Sequence, residues 1–354
     1  MQDIIINSPS LDPTKNVSGI SAVVQFIIGK NKSCNYIHFE VGRTDEDKGG
    51  LGRVFSIIGS LKKWKALLKA NPQAIVHYNY ALTKVCIIRD SLYLHFCKKN
   101  KLVVHLHGGN YLFEDHLPFY IEWLLKRLFR KNIPFVVLSD KEKQRLEDKY
   151  KAQNVISLPN CIDLEEAAYY DKEYNTANPT LGYVGRIAST KGMNELLDAC
   201  VMLKKDNVPF KLVIAGSERE GDTYVSSFKE HLEDRFEYMG IVSGAEKTEF
   251  FKKVDVFVLP TYFEGLPMSL LETMSFGCVP VTTDVGSINT VVKEGKNGLF
   301  LKLKDSQDVA DKVKVLVKTE GLMEKLGRCA KETIFEQFNP DKYIVVLNSI
   351  YQSL

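Results

Sequence analysis

The chain of 354 residues contains no apolar run that could form a membrane-spanning helix, which needs about 20 such residues. Its seven cysteines are scattered and form no Cys-x-x-Cys pair, which argues against a disulfide framework and a zinc site. The amino end enters a strand-like run without the basic stretch and apolar segment of a secretion signal. We therefore expect a cytoplasmic globular protein with reduced, buried cysteines.

Two common nucleotide-binding signatures are also missing. The chain has no Gly-x-Gly-x-x-Gly run, so a dinucleotide-binding interpretation is poor. The loop at 185–192 contains glycines and cations, but its spacing departs from that of a P-loop and it lacks the Lys-Ser/Thr pair. ATP hydrolysis is therefore not supported.

The formal net charge is only +3, but the charge is unevenly distributed. Residues 1–163 contain 24 Lys/Arg and 15 Asp/Glu, a net charge of +9, whereas the remainder has 23 and 29, a net charge of −6. A basic first half suggests an anionic partner, either a nucleic acid or a membrane surface. A chance imbalance on solvated faces explains these numbers equally well.

Two basic, aromatic helical stretches lie in this first half, at 61–69 and 119–131. Their composition suits helices that lie in a membrane interface. Helices packed on a sheet, with lysine stems spread over the apolar surface, are an equally good interpretation of each stretch alone.

Short apolar runs alternate with amphipathic stretches from end to end, which predicts an α/β protein with two consecutive, mostly parallel sheets. The first domain is predicted at 1–165 and the second at 166–339, with a polar, tyrosine-rich linker at 163–180. A last helix is predicted at about 340–354. The strands are predicted at 3–6, 35–39, 74–77, 102–106, 135–138, 155–158, 181–184, 211–215, 236–238, 256–259, 280–282 and 298–301. In doubly wound sheets, ligands bind beyond the carboxyl ends of the strands.

The most informative stretch is Glu-Gly-Leu-Pro-Met-Ser-Leu-Leu-Glu at 264–272. Gly265 and Pro267 are typical of a turn that opens a helix, and the residues that follow contain no helix breaker. The N–H groups at a helix start suit an anion, above all a phosphate. Glu264 and Glu272 would bracket that phosphate, which favours a ligand with hydroxyl-rich groups on both sides, such as a nucleotide-sugar.

Two cations follow the predicted strand at 181–184 and stand beside glycines. Arg186 and Lys191 lie five residues apart on this strand-to-helix loop. Two positive side chains together with backbone groups could neutralise a diphosphate. Solvated surface charges are the alternative for each residue taken singly.

Further candidates stand where other predicted strands end. His107 precedes two glycines, so its side chain could reach a ligand, whereas His105 is expected to pack within its strand. Gly216 and Ile241 could frame a base or a phosphate. Gly19 follows the first strand and would permit close approach of a ligand to the backbone. Plain turns are the alternative for these loop positions.

Together these motifs resemble those of the retaining glycosyltransferases of family 4. The most specific likeness is the Glu-x7-Glu motif from Glu264 to Glu272, and the loop at 185–192 is similar to the family's phosphate-binding loop. The segments 136–139 and 159–163 fit its interdomain signature. The resemblance spans nearly the whole chain. It implies the GT-B fold: two Rossmann-like, doubly wound domains with a cleft between them and a C-terminal helix that returns to the N-terminal domain.

The resemblance also implies roles for individual residues. Arg186 and Lys191 would neutralise the donor diphosphate and stabilise the leaving group, and Glu264 would hold the hydroxyls of the donor sugar. His107 would lie near the sugar and the acceptor, and Glu272 would bind the ribose. The donor-binding residues implied are Gly19, Gly216, Ile241, Gly265, Leu266, Pro267, Met268, Ser269 and Glu272.

The function implied is transfer of a sugar from a UDP- or GDP-sugar to an acceptor hydroxyl, with retention of the anomeric configuration. No cofactor and no metal are expected, because the protein's cations would do the metal's work. The acceptor would be a lipid-linked or polysaccharide glycan of bacterial surface polysaccharide assembly. The basic first domain would then contact an anionic inner membrane surface, and no nucleic-acid partner is expected.

Two other interpretations stay open at this point. One is a related GT-B enzyme of nucleotide-sugars, either an epimerase or a phosphorylase, although no cofactor lysine for a phosphorylase is identifiable. The other is a two-lobed binding protein without catalysis. A glycosidase acid/base pair at the two glutamates is less favoured, because Glu272 is better occupied in holding the nucleotide.

Overall fold

The computed structural model describes residues 1–12, 15, 18–42, 51–108, 110–218 and 221–354. The chain divides into two compact units. The first comprises Met1–Cys161 and Pro340–Leu354, and the second comprises Ile162–Asn339. Sequence patterning puts the same division at 165–166.

Strands and helices alternate through the first unit. In chain order they are β1 (Gln2–Ser8), α1 (Gly19–Lys30), β2 (Cys34–Glu40), α2 (Leu51–Ala70), β3 (Ile75–Tyr80), α3 (Lys84–Phe96), β4 (Leu102–Leu106), α4 (Phe119–Phe129), β5 (Phe135–Val137), α5 (Asp140–Tyr150) and β6 (Val155–Ser157). The strands form one parallel sheet in the order β2-β1-β3-β4-β5-β6. The order therefore reverses between β1 and β3.

The second unit continues the alternation. Its elements are α6 (Glu165–Ala168), β7 (Thr180–Val184), α7 (Met193–Lys205), β8 (Lys211–Ala215), α8 (Tyr224–Leu232), β9 (Phe236–Tyr238), α9 (Gly244–Lys253), β10 (Val256–Leu259), α10 (Met268–Ser275), β11 (Val279–Thr283), β12 (Leu299–Leu301), α11 (Ser306–Lys318) and α12 (Leu322–Gln337). The parallel strand order is β12-β11-β10-β7-β8-β9, which reverses between β7 and β10. The last helix, α13 (Pro340–Gln352), belongs to the first unit.

Both faces of the first sheet are covered, as its apolar strands require. On one face α2, α3, α4 and α5 share a core that includes Trp64, Tyr78 and Leu125. Side chains alternate along a strand, so His77 points to the other face, where its Nδ1 lies 2.6 Å from the Tyr351 hydroxyl of α13. The unit therefore has two helix layers around one sheet.

These observations confirm the predicted α/β class with two parallel sheets. Strands predicted at 102–106, 211–215 and 256–259 coincide with β4, β8 and β10. Helix α3 begins at Lys84 after Thr83 as its N-cap residue, and the preceding Leu82 N–H donates to the Gly108 carbonyl, 3.0 Å away. Within the described residues, no helix is both long and apolar enough to cross a membrane.

The segment predicted as a linker packs on the second unit. The Lys172 ammonium donates to the carbonyls of Lys252 and Val254, 2.6 Å from each, and lies 3.6 Å from Asp255. The Tyr174 hydroxyl donates to the Gly277 carbonyl at 2.8 Å. The polar composition of the segment therefore serves hydrogen bonds to backbone carbonyls, which its sequence alone did not reveal.

The packing of α13 gives a test of the first unit. Leu347→Ala should lower the free energy of unfolding by about 2–5 kcal/mol, because Leu347 is fully buried on this helix. Val345→Ala is the control, since Val345 is 66% exposed and its loss should cost less than about 0.5 kcal/mol. Urea unfolding followed by tryptophan emission reports this unit alone, because Trp64 and Trp123 both lie in it. Equal midpoints for the two variants would contradict the packing.

Candidate functional site

The loops that follow β7 and β10 lie side by side, because these strands are neighbours where the order of the second sheet reverses. Doubly wound sheets bind ligands at such a reversal, beyond the carboxyl ends of the strands. The backbone N–H of Tyr262 donates to the Thr190 carbonyl at 3.0 Å and ties the two loops together. The loop after β7 holds Arg186 and Lys191, and the loop after β10 holds Glu264.

An ion pair joins the two loops at this point. The Lys191 ammonium donates to Oε1 of Glu264, and the two side chains are 25% and 17% exposed. The Thr261 hydroxyl lies 3.4 Å from the same carboxylate oxygen. Two residues predicted independently from the sequence are therefore in contact, within reach of solvent and beside the start of α10.

The start of α10 supplies backbone donors. Pro267 precedes the helix and provides no side-chain cap. The Leu271 N–H donates to the Pro267 carbonyl at 3.4 Å, which is an i to i−4 helical hydrogen bond. The N–H groups of Met268 and Ser269 thus belong to the first turn, where helical N–H groups have no intrahelical acceptor. No acidic side chain lies in that turn, so it suits an anion.

The second carboxylate of the motif is held by a lysine that sequence analysis did not single out. The ammonium of Lys247, on α9, donates to Oε1 of Glu272 at 2.7 Å. The other oxygen, Oε2 of Glu272, is buried and has no hydrogen-bond partner among the described residues. Nothing in the sequence marks Lys247, because a lysine on a surface helix is common.

The ends of β7, β8 and β9 are packed backbone to backbone. The Gly185 N–H donates to the Ala215 carbonyl at 3.0 Å, and the Gly216 N–H donates to the Gly240 carbonyl at 2.7 Å. A Cβ atom at Gly216 would lie 1.8 Å from the Gly185 carbonyl oxygen, so this position needs glycine. Arg186 is exposed beside this stack, and Ile241 next to it is 39% exposed.

Gly286, in the loop after β11, supports the backbone of the first glutamate. Its φ is +59°, and a Cβ atom there would lie 2.0 Å from the Glu264 carbonyl oxygen. The next N–H, of Ser287, donates to the Gly265 carbonyl at 2.9 Å. In the sequence, Gly286 is marked only as a lone glycine after a predicted strand.

In the first unit, His107 follows β4 and is held by Asn79 of β3. The Asn79 amide nitrogen donates to the Asn7 carbonyl at 2.7 Å, and the Asn79 backbone N–H donates to Oδ1 of Asn7 at 2.8 Å. The remaining Oδ1 of Asn79 must therefore accept, and it lies 2.6 Å from Nε2 of His107. This network assigns the proton of His107 to Nε2 and leaves Nδ1 as an acceptor.

Burial keeps this histidine neutral. It lowers the pKa of His107 to about 3, and His77 adds to the effect. The ring of His105 stacks on that of His107, with centroids 4.3 Å apart, and its own pKa lies well below the usual value, chiefly because the side chain is buried. His105 is a packed strand residue, and its Nδ1 lies 3.2 Å from Nε2 of His77.

The remaining predicted positions are also placed. Gly19 is the first residue of α1. Its neighbours Asn16 and Val17, and the glycine after Gly108, lie outside the described residues. The described part of the chain contains no group of three or more His, Cys, Asp or Glu side chains that could hold a metal ion.

The chain is similar in sequence to known glycosyltransferases. Residues 170–333, nearly all of the second unit, match the family described as glycosyl transferases group 1. The chain is 24% identical over 304 residues to an uncharacterized glycosyltransferase of Methanocaldococcus jannaschii, covering 84% of this chain and 80% of that protein. It is 28% identical over 177 residues to the capsular polysaccharide biosynthesis glycosyltransferase CapM of Staphylococcus aureus, covering 50% of this chain and 46% of CapM.

Two solved structures share the architecture over the whole chain. Sucrose-phosphate synthase from Thermosynechococcus elongatus has a TM-score of 0.78 at 16% identity, covering 100% of this chain and 99% of that one. HepE from Anabaena, solved in complex with UDP and glucose, has a TM-score of 0.74 at 15% identity and covers 100% of both chains. At such identities the likeness concerns the fold.

The fold is therefore the GT-B fold, with two Rossmann-like domains. The match of residues 170–333 to the group 1 glycosyltransferases, together with the relatives, supports a glycosyltransferase. The match to that family does not include the first unit. The alignment with CapM spans about half of CapM.

The support of Glu264 by Gly286 can be measured with a matched pair. Gly286→Ala should cost about 1–3 kcal/mol more stability than Gly295→Ala, because the new Cβ must displace the Glu264 carbonyl. Gly295 has a similar φ of +67° but open space around it, so its variant carries the backbone penalty alone. Differential scanning calorimetry of both variants checks this. Equal losses would show that Gly286 does not hold the loop.

Proposed function

We propose that the chain transfers a glycosyl group from a UDP- or GDP-sugar to an acceptor hydroxyl with retention of configuration, as enzymes of family 4 do. The observation that carries the proposal is the contact between Lys191 and Glu264 at the reversal point of the second sheet. A cation, a carboxylate and a helix start lie together there. Their combination suits a diphosphate bonded to a sugar.

The donor's diphosphate is assigned to the cationic side of this site. Arg186 and Lys191 neutralise its charge, and the N–H groups of Met268 and Ser269 donate to its oxygens. Lys191 already contacts Glu264, so it can exchange one carboxylate oxygen for a phosphate oxygen without a large movement. HepE, which shares the fold, was solved with UDP and glucose, and this supports the choice of ligand.

The sugar and the nucleoside are assigned to the two glutamates. Glu264 accepts hydrogen bonds from hydroxyls of the transferred sugar, and Glu272 accepts them from the ribose. The buried, unpartnered Oε2 of Glu272 gives an acceptor for such a hydroxyl. Gly216 and Ile241 border the base, and the loop at 265–267 borders the phosphates.

In the first unit, the resemblance to family 4 assigns roles to Gly19 and His107. Because His107 is neutral and carries its proton on Nε2, its Nδ1 can accept a hydrogen bond from a sugar hydroxyl. A neutral imidazole of this low pKa is a poor general base. Its role in the proposal is therefore to orient the sugar.

The chemical step is a displacement on one face of the sugar. The bond from the anomeric carbon to the β-phosphate oxygen breaks, and a bond from that carbon to the acceptor oxygen forms on the same face. The acceptor's proton passes to the departing phosphate. Arg186 and Lys191 stabilise the charge on the leaving group, so the reaction needs no metal ion, and Glu264 stabilises the positive charge at the sugar.

The acceptor is proposed to be a lipid-linked or polysaccharide glycan of bacterial surface polysaccharide synthesis. The support is the likeness to CapM, whose description is capsular polysaccharide biosynthesis. We place the reaction in the cytoplasm, with peripheral contact to the inner face of the cell membrane.

Release of UDP or GDP that depends on added acceptor tests the function. Arg186→Ala and Lys191→Ala should each lower kcat on the order of 100-fold, because each removes one charged donor to the leaving group. Arg328→Ala and Lys325→Ala are the controls, since both side chains are exposed on α12 in the same unit. Unchanged turnover in the first two variants would refute the site. Nucleotide binding without acceptor-dependent release would favour a binding protein.

The contact between Lys247 and Glu272 gives a separate test of nucleotide binding. Lys247→Met should weaken binding of UDP or GDP about ten-fold, because Glu272 loses the charged hydrogen bond that orients it. Lys252→Met on the same helix is the control, since its ammonium pairs with Glu249 at the surface, an interaction worth little. Calorimetric titration measures both. Equal affinities would show that Lys247 does not position the ribose-binding carboxylate.

A further inference from the structure

The outer side of α2, α3 and α4 exposes a group of large apolar side chains. All three helices pack on the same face of the first sheet, so their outer sides form one surface. Each side chain of the group is at least 42% exposed. The group, here called the apolar face, consists of Ile58, Val85, Ile88, Leu92, Phe119, Tyr120 and Trp123.

The spacing of these residues shows that they point away from the core. On α3, Val85, Ile88 and Leu92 lie on one side of the helix, whereas Ile87 and Leu94 are buried. The core of the unit is therefore complete without the exposed set. Burial in this unit does not explain why the outer side of α3 is apolar.

The same arrangement holds on α4. Phe119 is 83% exposed and Trp123 is 51% exposed, while Ile121 and Leu125 of the same helix are fully buried. The two helices are neighbours, and the Lys84 ammonium at the start of α3 lies 5.8 Å from the ring centre of Tyr120. The exposed residues of α3 and α4 therefore form one surface with a cation at its edge.

The charge around the apolar face is predominantly positive. Residues 51–113 contain ten Lys/Arg and a single acidic residue, Asp90. Asp90 is fully buried and lies 2.6 Å from Nε of Arg89. On α4, Glu122 pairs with Lys126 at 2.8 Å. Helix α2 has no acidic residue, and among its side chains that the structure describes the exposed cations are Lys62, Lys63, Lys65 and Lys69.

We propose that the apolar face docks on an anionic lipid bilayer, with Phe119 and Trp123 in the headgroup layer. Exposed aromatic side chains among lysines and arginines are the composition of an interfacial surface. A soluble polyanion would use the cations but not the aromatic rings. A second copy of this face would bring two sets of lysines together, which like-charge repulsion opposes.

Docking would bring the first unit to the lipid-linked acceptor of the proposed function. That consequence rests on the proposed transfer reaction. The binding itself does not, since it needs neither donor nor turnover. Vesicle binding and nucleotide release can therefore fail independently.

The two tryptophans make the docking directly visible. Trp64 is fully buried and gives a constant background, whereas Trp123 is half exposed on the apolar face. Vesicles of phosphatidylglycerol and phosphatidylcholine should shift the emission of the whole protein to shorter wavelength at low salt. Trp123→Phe should abolish the shift while the protein still sediments with the vesicles. Vesicles of phosphatidylcholine alone should bind far less, because they offer no negative charge.

Substitutions separate the apolar and the charged contributions. Replacing Lys62, Lys63 and Lys69 together by Glu should lower vesicle partitioning by at least about 100-fold, since each cation near an anionic surface is worth about five-fold. Phe119→Ser should lower it on the order of ten-fold. The controls are Lys325→Glu, exposed in the second unit, and Val345→Ser, 66% exposed on α13. Both controls should bind like the unaltered protein.

Three results would overturn the proposal. The first is no emission shift and no sedimentation with anionic vesicles at low salt. The second is vesicle binding that the Phe119 and lysine variants leave unchanged. The third is a dimer in light scattering that Phe119→Ser dissociates, which would assign the apolar face to a second copy of the chain.

Discussion

The contact between Lys191 and Glu264 is the interaction on which the account of the second unit depends. It joins the loops after β7 and β10, the two strands that flank the reversal of strand order. Parallel strands bring these loops to one edge of the sheet, although they are far apart in the chain. The ion pair keeps a cation beside a carboxylate, and both side chains stay partly exposed to solvent. Neither charge is therefore left unpaired or fully desolvated. In the proposed complex, the diphosphate would replace Glu264 as the partner of Lys191. The sugar hydroxyls would replace Lys191 as the partner of Glu264.

The surrounding residues make that contact possible. Gly286 lets the backbone at Glu264 pass close to the loop after β11, and Thr261 contacts the same carboxylate oxygen as Lys191. The pair of Lys247 and Glu272 repeats the arrangement at the other end of the motif. Each acidic residue of the motif is thus balanced by one lysine, which lowers the cost of keeping two carboxylates near the proposed phosphate site.

Sequence patterns predicted the sheets and the start of α10 well, for identifiable reasons. Continuous apolar strands such as β8 and β10 mark buried parallel sheets, and the Gly-Leu-Pro turn marks the start of α10. Lys247 and Asn79 could not be found this way, because their importance comes from a partner brought near by tertiary structure. The packing of the segment at 163–180 could not be predicted either, since hydrogen bonds from Lys172 and Tyr174 to backbone carbonyls leave no periodic signal. The roles of the predicted site residues stay predictions.

The central claim is that the second unit recognises the diphosphate of a nucleotide-sugar. Melting temperatures measured with UDP, GDP, UMP, GMP, UDP-sugars and GDP-sugars test it most directly. At 100 times its dissociation constant, a ligand of the folded state adds about 2.7 kcal/mol of stability. Either UDP or GDP, together with the nucleotide-sugars of the same base, should raise the melting temperature by several degrees. The nucleoside monophosphate of that base should raise it much less. No shift with any diphosphate, or equal shifts with monophosphates, would contradict the account.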